Sequence, residues 1–350
     1  MNIVITAFAN GSDHQRYATI VANYLSLKHN VLLICTSNFD ISQLNDNIQV
    51  NNLIICDKSR IELSTLQLNI WVKIYSDIIS FKPKIIHFFC AHPLNLFLSL
   101  FYKTKKVYTI HDVKPHPDEN VSCLISIYNN IIKFIAYRII VHSKLAKRQL
   151  GRFGNKAVVL PLCGTEILKL EPYTENQKIL FYGRIKPYKG LDLFINAAEK
   201  LIIEIPNSKF VIAGQGDVKK YLSLIKNKEN FEIYNDYISN NETDRLFKEC
   251  KLIVLPYYSA TQSGVIPLAY SYNRPIVATN VGAISEMVLD KKTGILVEPD
   301  INQISNAIKI LITNDELYRK LCENISEEFS KNYSETNMGQ KFRRFYESIV

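Results

Sequence analysis

The residues best equipped for chemistry lie in the second half of the chain, at four glycine-bearing turns. Gly183-Arg184 and Lys189-Gly190 stand in FYGRIKPYKG, Gly214-Gln215-Gly216-Asp217 in VIAGQGD, Gln262-Ser263-Gly264 in ATQSGV, and Gly282 closes ATNVG. A helix that starts after a glycine turn presents N–H groups to a ligand, and Arg184 and Lys189 add full positive charge, so the set suits a pyrophosphate. From Ser259 to Ile284 there is no carboxylate, and Glu286 is the only one between Tyr258 and Leu289. The chain also has no Asp-x-Asp, so no divalent-metal platform and no metal ligand are expected. In the first half, His111 and Asp112 end the stretch KVYTI. His14, His87 and His92 are lesser candidates, and His87, which alternates with apolar residues, reads as a hydrogen-bonded core histidine.

The elements that must position these residues are β-branched strands alternating with amphipathic helices. Strands are predicted at Asn2–Ala7, Val31–Thr36, Lys84–Phe89, Lys106–Ile110, Ile139–His142 and Ala157–Leu160. After a polar stretch, Glu171–Gln177, the alternation restarts with strands at Lys178–Tyr182, Lys209–Ala213, Phe231–Tyr234, Leu252–Leu255, Pro275–Thr279 and Gly294–Val297. The reading is α/β, with two Rossmann-like domains, 1–170 and 171–333, and a final helix over 334–350. Ligands in such sheets sit at the carboxyl ends of the strands, where the glycine turns and His111 fall.

The composition, 47% hydrophobic and 21% charged, is that of a globular enzyme. Seven scattered cysteines with no CxxC spacing point to reduced thiols. No secretory signal is visible and polar residues break each long apolar run, so a cytoplasmic protein without a membrane span is expected. The net charge of +9 is confined to one half: residues 1–170 hold 19 basic and 10 acidic residues, residues 171–350 hold 23 of each. Such asymmetry suits an anionic surface. Nucleic acid is disfavoured because the basic half has no motif with interleaved aromatics.

The segments GRIKPYKGLDLFINAAEKL, KFVIAGQGD, LFKECKLIVLPY and RPIVATNVGAISEMVLDKKTGILVEPD resemble, in order and spacing, the retaining nucleotide-sugar-dependent glycosyltransferases of family 4. The likeness runs over about Lys178–Asp300, with a looser one in AFANGSDHQRYATIVANYL, VYTIHDVKPHP, IIVHSKLAKRQL and VVLPLCG. It implies a GT-B fold, with the two domains facing a central cleft and the final helix crossing back to the first. It also implies transfer of a sugar from a nucleoside diphosphate, UDP or GDP, without a metal or other cofactor.

By position, Arg184 and Lys189 match the pair that contacts the donor diphosphate and stabilises the charge that grows on it. Gly11 and Ser12 match the N-terminal loop near the same phosphates, and His111 with Asp112 a pair beside the transferred sugar. Gly183, Gly214, Gly216, Gln262, Ser263, Gly264 and Val265 complete the expected donor site, with Glu286 in a secondary, loop-ordering role. The first domain would take a glycan or lipid-diphosphate-linked acceptor of surface polysaccharide synthesis, such as O-antigen, capsule or exopolysaccharide. A basic patch of Lys103, Lys105, Lys106, Lys144, Lys147, Arg148 and Arg152 would hold it at the inner face of the plasma membrane.

One departure stands out. Most members of the family carry two glutamates with seven residues between them, where this chain has ATQSGVIPLAYSYNRP; here Leu268 holds the place of the second, and Ala260 or, with one residue of slippage, Thr261 that of the first. Phosphate contacts are therefore expected to dominate donor binding. A nucleotide-sugar epimerase on the same fold and a binding subunit without activity remain alternatives.

Overall fold

The computed structural model describes residues 1–8, 12–54, 67–101, 103–114, 122–164 and 178–349. The expected linker Glu171–Gln177 and the candidate Gly11 lie outside these residues, as does the side chain of Ser12, the first residue of its helix. The chain forms two units, Met1–Leu162 with Glu335–Val350, and Cys163–Ser334.

The first unit is an all-parallel, seven-stranded sheet. Its strands are β1 (Asn2–Ala7), β2 (Asn30–Thr36), β3 (Gln49–Ile54), β4 (Ile85–Phe88), β5 (Lys105–Thr109), β6 (Arg138–Val141) and β7 (Ala157–Val159), in the order β3-β2-β1-β4-β5-β6-β7. Strands covered on both faces carry apolar residues at nearly every position, and β1, β2 and β4 do so here.

Three helices, α2 (Leu68–Phe81), α3 (Pro93–Phe101) and α4 (Ser122–Ile135), pack their inner residues into one core with Val4, Ile86, Tyr108 and Ile139. The right-handed crossovers of parallel strands place them on the same side of the sheet. Helix α1 (Ser12–Ser26) packs against the last helix, α11 (Glu335–Ser348). There Gly339 lies on the Tyr24 ring, where an added Cβ would stand 2.0 Å from that ring, so only glycine allows so close a crossing. Arg16 pairs with Glu335, and Tyr24 Oη donates to Thr336 Oγ1 at 2.9 Å. His87, on β4, is the core histidine its alternation suggested: Nε2 meets Thr109 Oγ1 at 2.8 Å and Nδ1 meets the Tyr346 hydroxyl of α11.

The second unit holds a six-stranded parallel sheet in the order β10-β9-β8-β11-β12-β13. The strands are β8 (Lys178–Tyr182), β9 (Lys209–Ala213), β10 (Phe231–Tyr234), β11 (Cys250–Leu255), β12 (Ile276–Thr279) and β13 (Gly294–Val297). Helix α6 (Leu191–Glu204) buries Leu191, Phe194, Ala198 and Leu201 against it. This unit starts earlier than the expected boundary at 170. The Gly164 N–H donates to Tyr333 O at 2.9 Å, and a Cβ at Gly164 would meet Pro267 O at 2.4 Å, so this residue is already packed into the second core. Among the described residues, no helix is long and apolar enough to cross a membrane.

Candidate functional site

The glycine turns of the second unit follow adjacent parallel strands and touch through their backbones. Gly183 leaves β8 with φ +111°, and Gly214 and Gly216 leave β9 with φ +148° and +157°. The Gly183 N–H donates to Ala213 O and the Ile185 N–H to Gln215 O, both at 2.9 Å. A Cβ on Gly214 would stand 2.1 Å from the Gly183 carbonyl oxygen, and one on Gly216 2.4 Å from that of Ile185. Glycine is required here for close backbone approach as well as for positive φ. Gly214→Ala is therefore expected to destabilise the protein by about 3 kcal/mol or more, read as a lower denaturation midpoint at unchanged slope.

FYGRIKPYKG supplies two cations at this floor, and the structure places one of them over it. Lys189 ends a single 3₁₀ turn, Pro187–Lys189, held by the αL residue Gly190, whose Cα presses on Pro256: a Cβ there would meet that carbonyl oxygen at 2.0 Å. The turn aims Lys189 Nζ back across Gly183, 2.8 Å from where a Cβ of Gly183 would be, and 5.3 Å from the centre of the Tyr257 ring. Burial pushes the Tyr257 phenol up to about 12, so the ring stays neutral beside the ammonium. Arg184 is exposed and makes no hydrogen bond or ion pair with any described residue.

The third turn supplies polar groups. Ser263 is buried with its Oγ 3.3 Å from Tyr257 Oη, and Gln262 Oε1 is buried with no hydrogen-bond partner among the described residues. A buried carbonyl oxygen left without a donor is costly, and a ligand donor would remove that cost. Gly264 precedes α8 (Val265–Ser271), and Val265 is buried at its first position. Leu268 packs half-buried against the core, and Ala260 and Thr261 are buried. Gly282, at φ +57°, lies so close to Ala260 that a Cβ would meet its carbonyl oxygen at 1.8 Å, and the Ala283 N–H donates to that same oxygen at 3.0 Å. Leu268 and Ala260 thus pack among apolar neighbours, with the Ala260 carbonyl tied to the next loop. Glu286, half-buried, closes a 3₁₀ turn, Ile284–Glu286, immediately after.

In the first unit, His111 follows β5 and belongs to a cluster of rings. Its Nε2 lies 3.1 Å from Phe89 O, and its Nδ1 lies 3.1 Å from His142 Nε2. His142 Nδ1 in turn lies 2.8 Å from Leu160 O, and the exposed His14 ring abuts His111 edge-to-face at 4.5 Å. Carbonyls only accept, so two neutral rings bring two protons to three contacts. Burial nevertheless holds both rings neutral: His142 falls to about 4, and His111, also repelled by His14 and His142, lies well below the usual range.

A ring nitrogen of His111 therefore reaches a ligand only by leaving Phe89 or His142. Asp112, beside it, is anchored through its carbonyl, which accepts from Asn129 Nδ2 at 2.8 Å. The contact of His142 with His111 was not expected from the sequence, although the signal was present: VYTIH and IIVHS are neighbouring strands, and the register Thr109↔Ile140 sets their histidines side by side. His92 caps α3, its Nδ1 accepting from Leu94 N–H at 3.3 Å.

The expected basic patch divides. Lys103, Lys105 and Lys106 lie at the amino ends of the strands, where Lys105 Nζ donates to Ile349 O at 2.7 Å. Lys144, Lys147 and Arg148 lie on α5 (Lys144–Gln149), which starts at the opposite, carboxyl end of β6. Arg152 follows α5 in the 3₁₀ segment Gly151–Lys156, on the way back to the amino end.

Comparison with known proteins agrees with this architecture. Sucrose-phosphate synthase from Thermosynechococcus elongatus superposes with a TM-score of 0.74 at 17% identity, covering 100% of this chain and 99% of that one. The Anabaena protein HepE, solved with UDP-glucose, superposes at 0.75 with 16% identity, covering 99% and 100%. The fold is GT-B. Residues 176–314 match the family of glycosyl transferases group 1. An uncharacterized glycosyltransferase of Methanocaldococcus jannaschii is 31% identical over 225 residues, 61% of this chain and 60% of that protein. The O-antigen chain mannosyltransferase C of Escherichia coli is 22% identical over 223 residues, 59% and 58% of the two chains. The chain thus spans less than two thirds of the length of these relatives. The likeness to this family thus rests on residues 176–314, in the second unit.

Proposed function

We propose that the protein transfers a sugar, with retention of anomeric configuration, from a UDP- or GDP-sugar to a glycan or lipid-diphosphate-linked acceptor in surface polysaccharide synthesis. One observation carries the reading: Lys189 Nζ poised over the Gly183 turn, with an exposed Arg184 beside it, on a floor of glycine backbone. Two cations at the carboxyl end of a Rossmann-like strand suit a diphosphate, and they stabilise it most as the glycosidic bond breaks and its charge grows. In this reading they do the charge work a metal does elsewhere.

Gln262 Oε1 and Ser263 take donors on the nucleotide sugar, and the backbone of Gly214, Gly216 and Gly264 lets the phosphates approach. With Leu268 unable to accept from the ribose, phosphate contacts dominate donor affinity, and Glu286 orders the loop. His111 and Asp112 lie beside the transferred sugar through their backbone, with His142 holding the ring. HepE, of the same fold, was solved with UDP-glucose, and a relative acts in O-antigen synthesis, which supports the donor and acceptor classes. The reaction runs in the cytoplasm, at the inner face of the plasma membrane.

Release of nucleoside diphosphate from UDP-, GDP-, ADP- and dTDP-sugars tests the reading. One donor class is expected to be turned over, slowly by water and faster with an acceptor. No release from any of them overturns it.

A further inference from the structure

The outer side of the helices α2, α3 and α4 is apolar where solvent should have made it polar. On α4, Leu124, Ile127, Ile131 and Phe134 follow one another at helical spacing and are 68%, 52%, 42% and 63% exposed. On α2, Leu68, Val72, Tyr75 and Ile79 repeat the pattern at 77%, 60%, 45% and 49%, and Phe97 of α3 adds 45%. These helices cover the same side of the sheet, so their stripes share one surface. Each also has an inner apolar face, with Ile74 and Ile78 of α2 and Tyr128 and Ile132 of α4 buried, so the outer stripes are not needed for the core. Exposed apolar surface on this scale marks a docking face.

Among the described residues, the charge on and just after these helices is mostly basic. Helices α3 and α4 carry no acidic residue, and α2 carries only Asp77, paired with Lys73. Lys82, Lys103 and Arg138 follow the three helices. Arg152 lies over the Phe134 ring at 5.7 Å, and Lys156 caps the end of α4, donating to Phe134 O at 3.2 Å and Ala136 O at 2.9 Å.

We propose that this face seats the protein on an anionic bilayer, with the α2 and α4 stripes inserted among the acyl chains and the basic rim on the headgroups. An apolar helix face edged by Lys and Arg is the pattern of an interfacial helix. A second copy fits less well, because a self-complementary contact would bring two cationic rims together. The surface deepens the proposed use of a lipid-borne acceptor and rests on that reading for the choice of a bilayer. The basic rim alone would give attachment by charge; the apolar stripes give insertion.

The only tryptophan of the chain, Trp71, lies on α2 against Phe97, at a ring separation of 5.0 Å, and reports on this face directly. Phosphatidylcholine vesicles doped with phosphatidylglycerol are expected to shift Trp71 emission to the blue, and brominated acyl chains to quench it. The triple variant Leu124→Gln, Ile127→Gln, Phe134→Gln is expected to bind these vesicles at least about tenfold more weakly, with unchanged nucleotide binding. Vesicle binding that salt abolishes completely, or that leaves Trp71 emission unchanged, overturns the proposal. So does a wild-type dimer that the triple variant converts to monomer. Thermal stabilisation by nucleotide, measured on the same samples, separates the two readings. Stabilisation without vesicle binding sinks only this proposal, and vesicle binding without stabilisation sinks only the donor reading.

Discussion

Arg184→Ala and Lys189→Ala are each expected to lower kcat by about 10²-fold to 10³-fold, with a smaller rise in KM. The argument is differential. Before reaction the diphosphate shares its charge with the sugar; as the bond breaks it gains a further negative charge, and only groups already in place stabilise that change without reorganisation. The Arg184 side chain is exposed and makes no hydrogen bond or ion pair with a described residue, so its loss should leave the melting temperature essentially unchanged. Loss of Lys189 removes at least a cation–π contact with Tyr257, on the order of 0.5–1 kcal/mol, so its melting curve is read beside its kinetics. Arg184→Lys keeps the charge and gives up the planar fork, and should fall between. Steady-state kinetics on these variants, with melting curves alongside, checks the assignment, and an unchanged kcat removes either residue from the mechanism.

Acid is expected to unfold the first unit selectively. All seven histidines of the chain precede Leu162, and the six among the described residues, His14, His29, His87, His92, His111 and His142, lie in this unit. Four of them are held neutral by burial, with His92 and His142 down to about 4 and His87 and His111 well below the usual range. A depressed pKa means that the native state binds fewer protons than the unfolded chain. The stability is therefore complete above pH 6.5 and is lost as pH falls from there toward 4. Each such group costs up to about 1.4 kcal/mol per pH unit in that window, enough for four of them to exhaust the stability of a unit this size. Denaturant melts at pH 7 and pH 5 should show the first unit weakened far more than the second, and His92→Asn should flatten the pH slope. Equal weakening of both units would contradict the assignment.

Much of the architecture was legible because parallel strands buried on both faces are short apolar runs with few other readings, as KILFY and FVIA show. The fold's glycines were legible as turns, but not as contacts, since the closeness of Gly214 to Gly183 depends on which strands are neighbours. The outer faces of α2 and α4 escaped notice for a related reason. A helix apolar on both sides gives no periodic sign of which side is covered, and polar residues that break the apolar runs of the neighbouring α3 and of α4, Asn95 and Asn129, are buried and hydrogen-bonded. The basic patch failed as a unit because proximity in sequence said nothing of the two ends of a sheet. The absence of carboxylates from Ser259 to Ile284 is a plain fact of the sequence, whereas the tight packing of Gly282 on Ala260 is visible only in the structure.

The central claim is that the turns of the second unit hold a nucleoside diphosphate through Arg184 and Lys189. Thermal denaturation of the full chain with increasing UDP and GDP, beside the Arg184→Ala, Lys189→Ala double variant, tests it most directly. One of the two nucleotides should stabilise the native protein by about 2.7 kcal/mol at a hundredfold excess over its Kd, and the double variant should lose most of that gain. Equal stabilisation of both proteins, or of neither, would contradict the account.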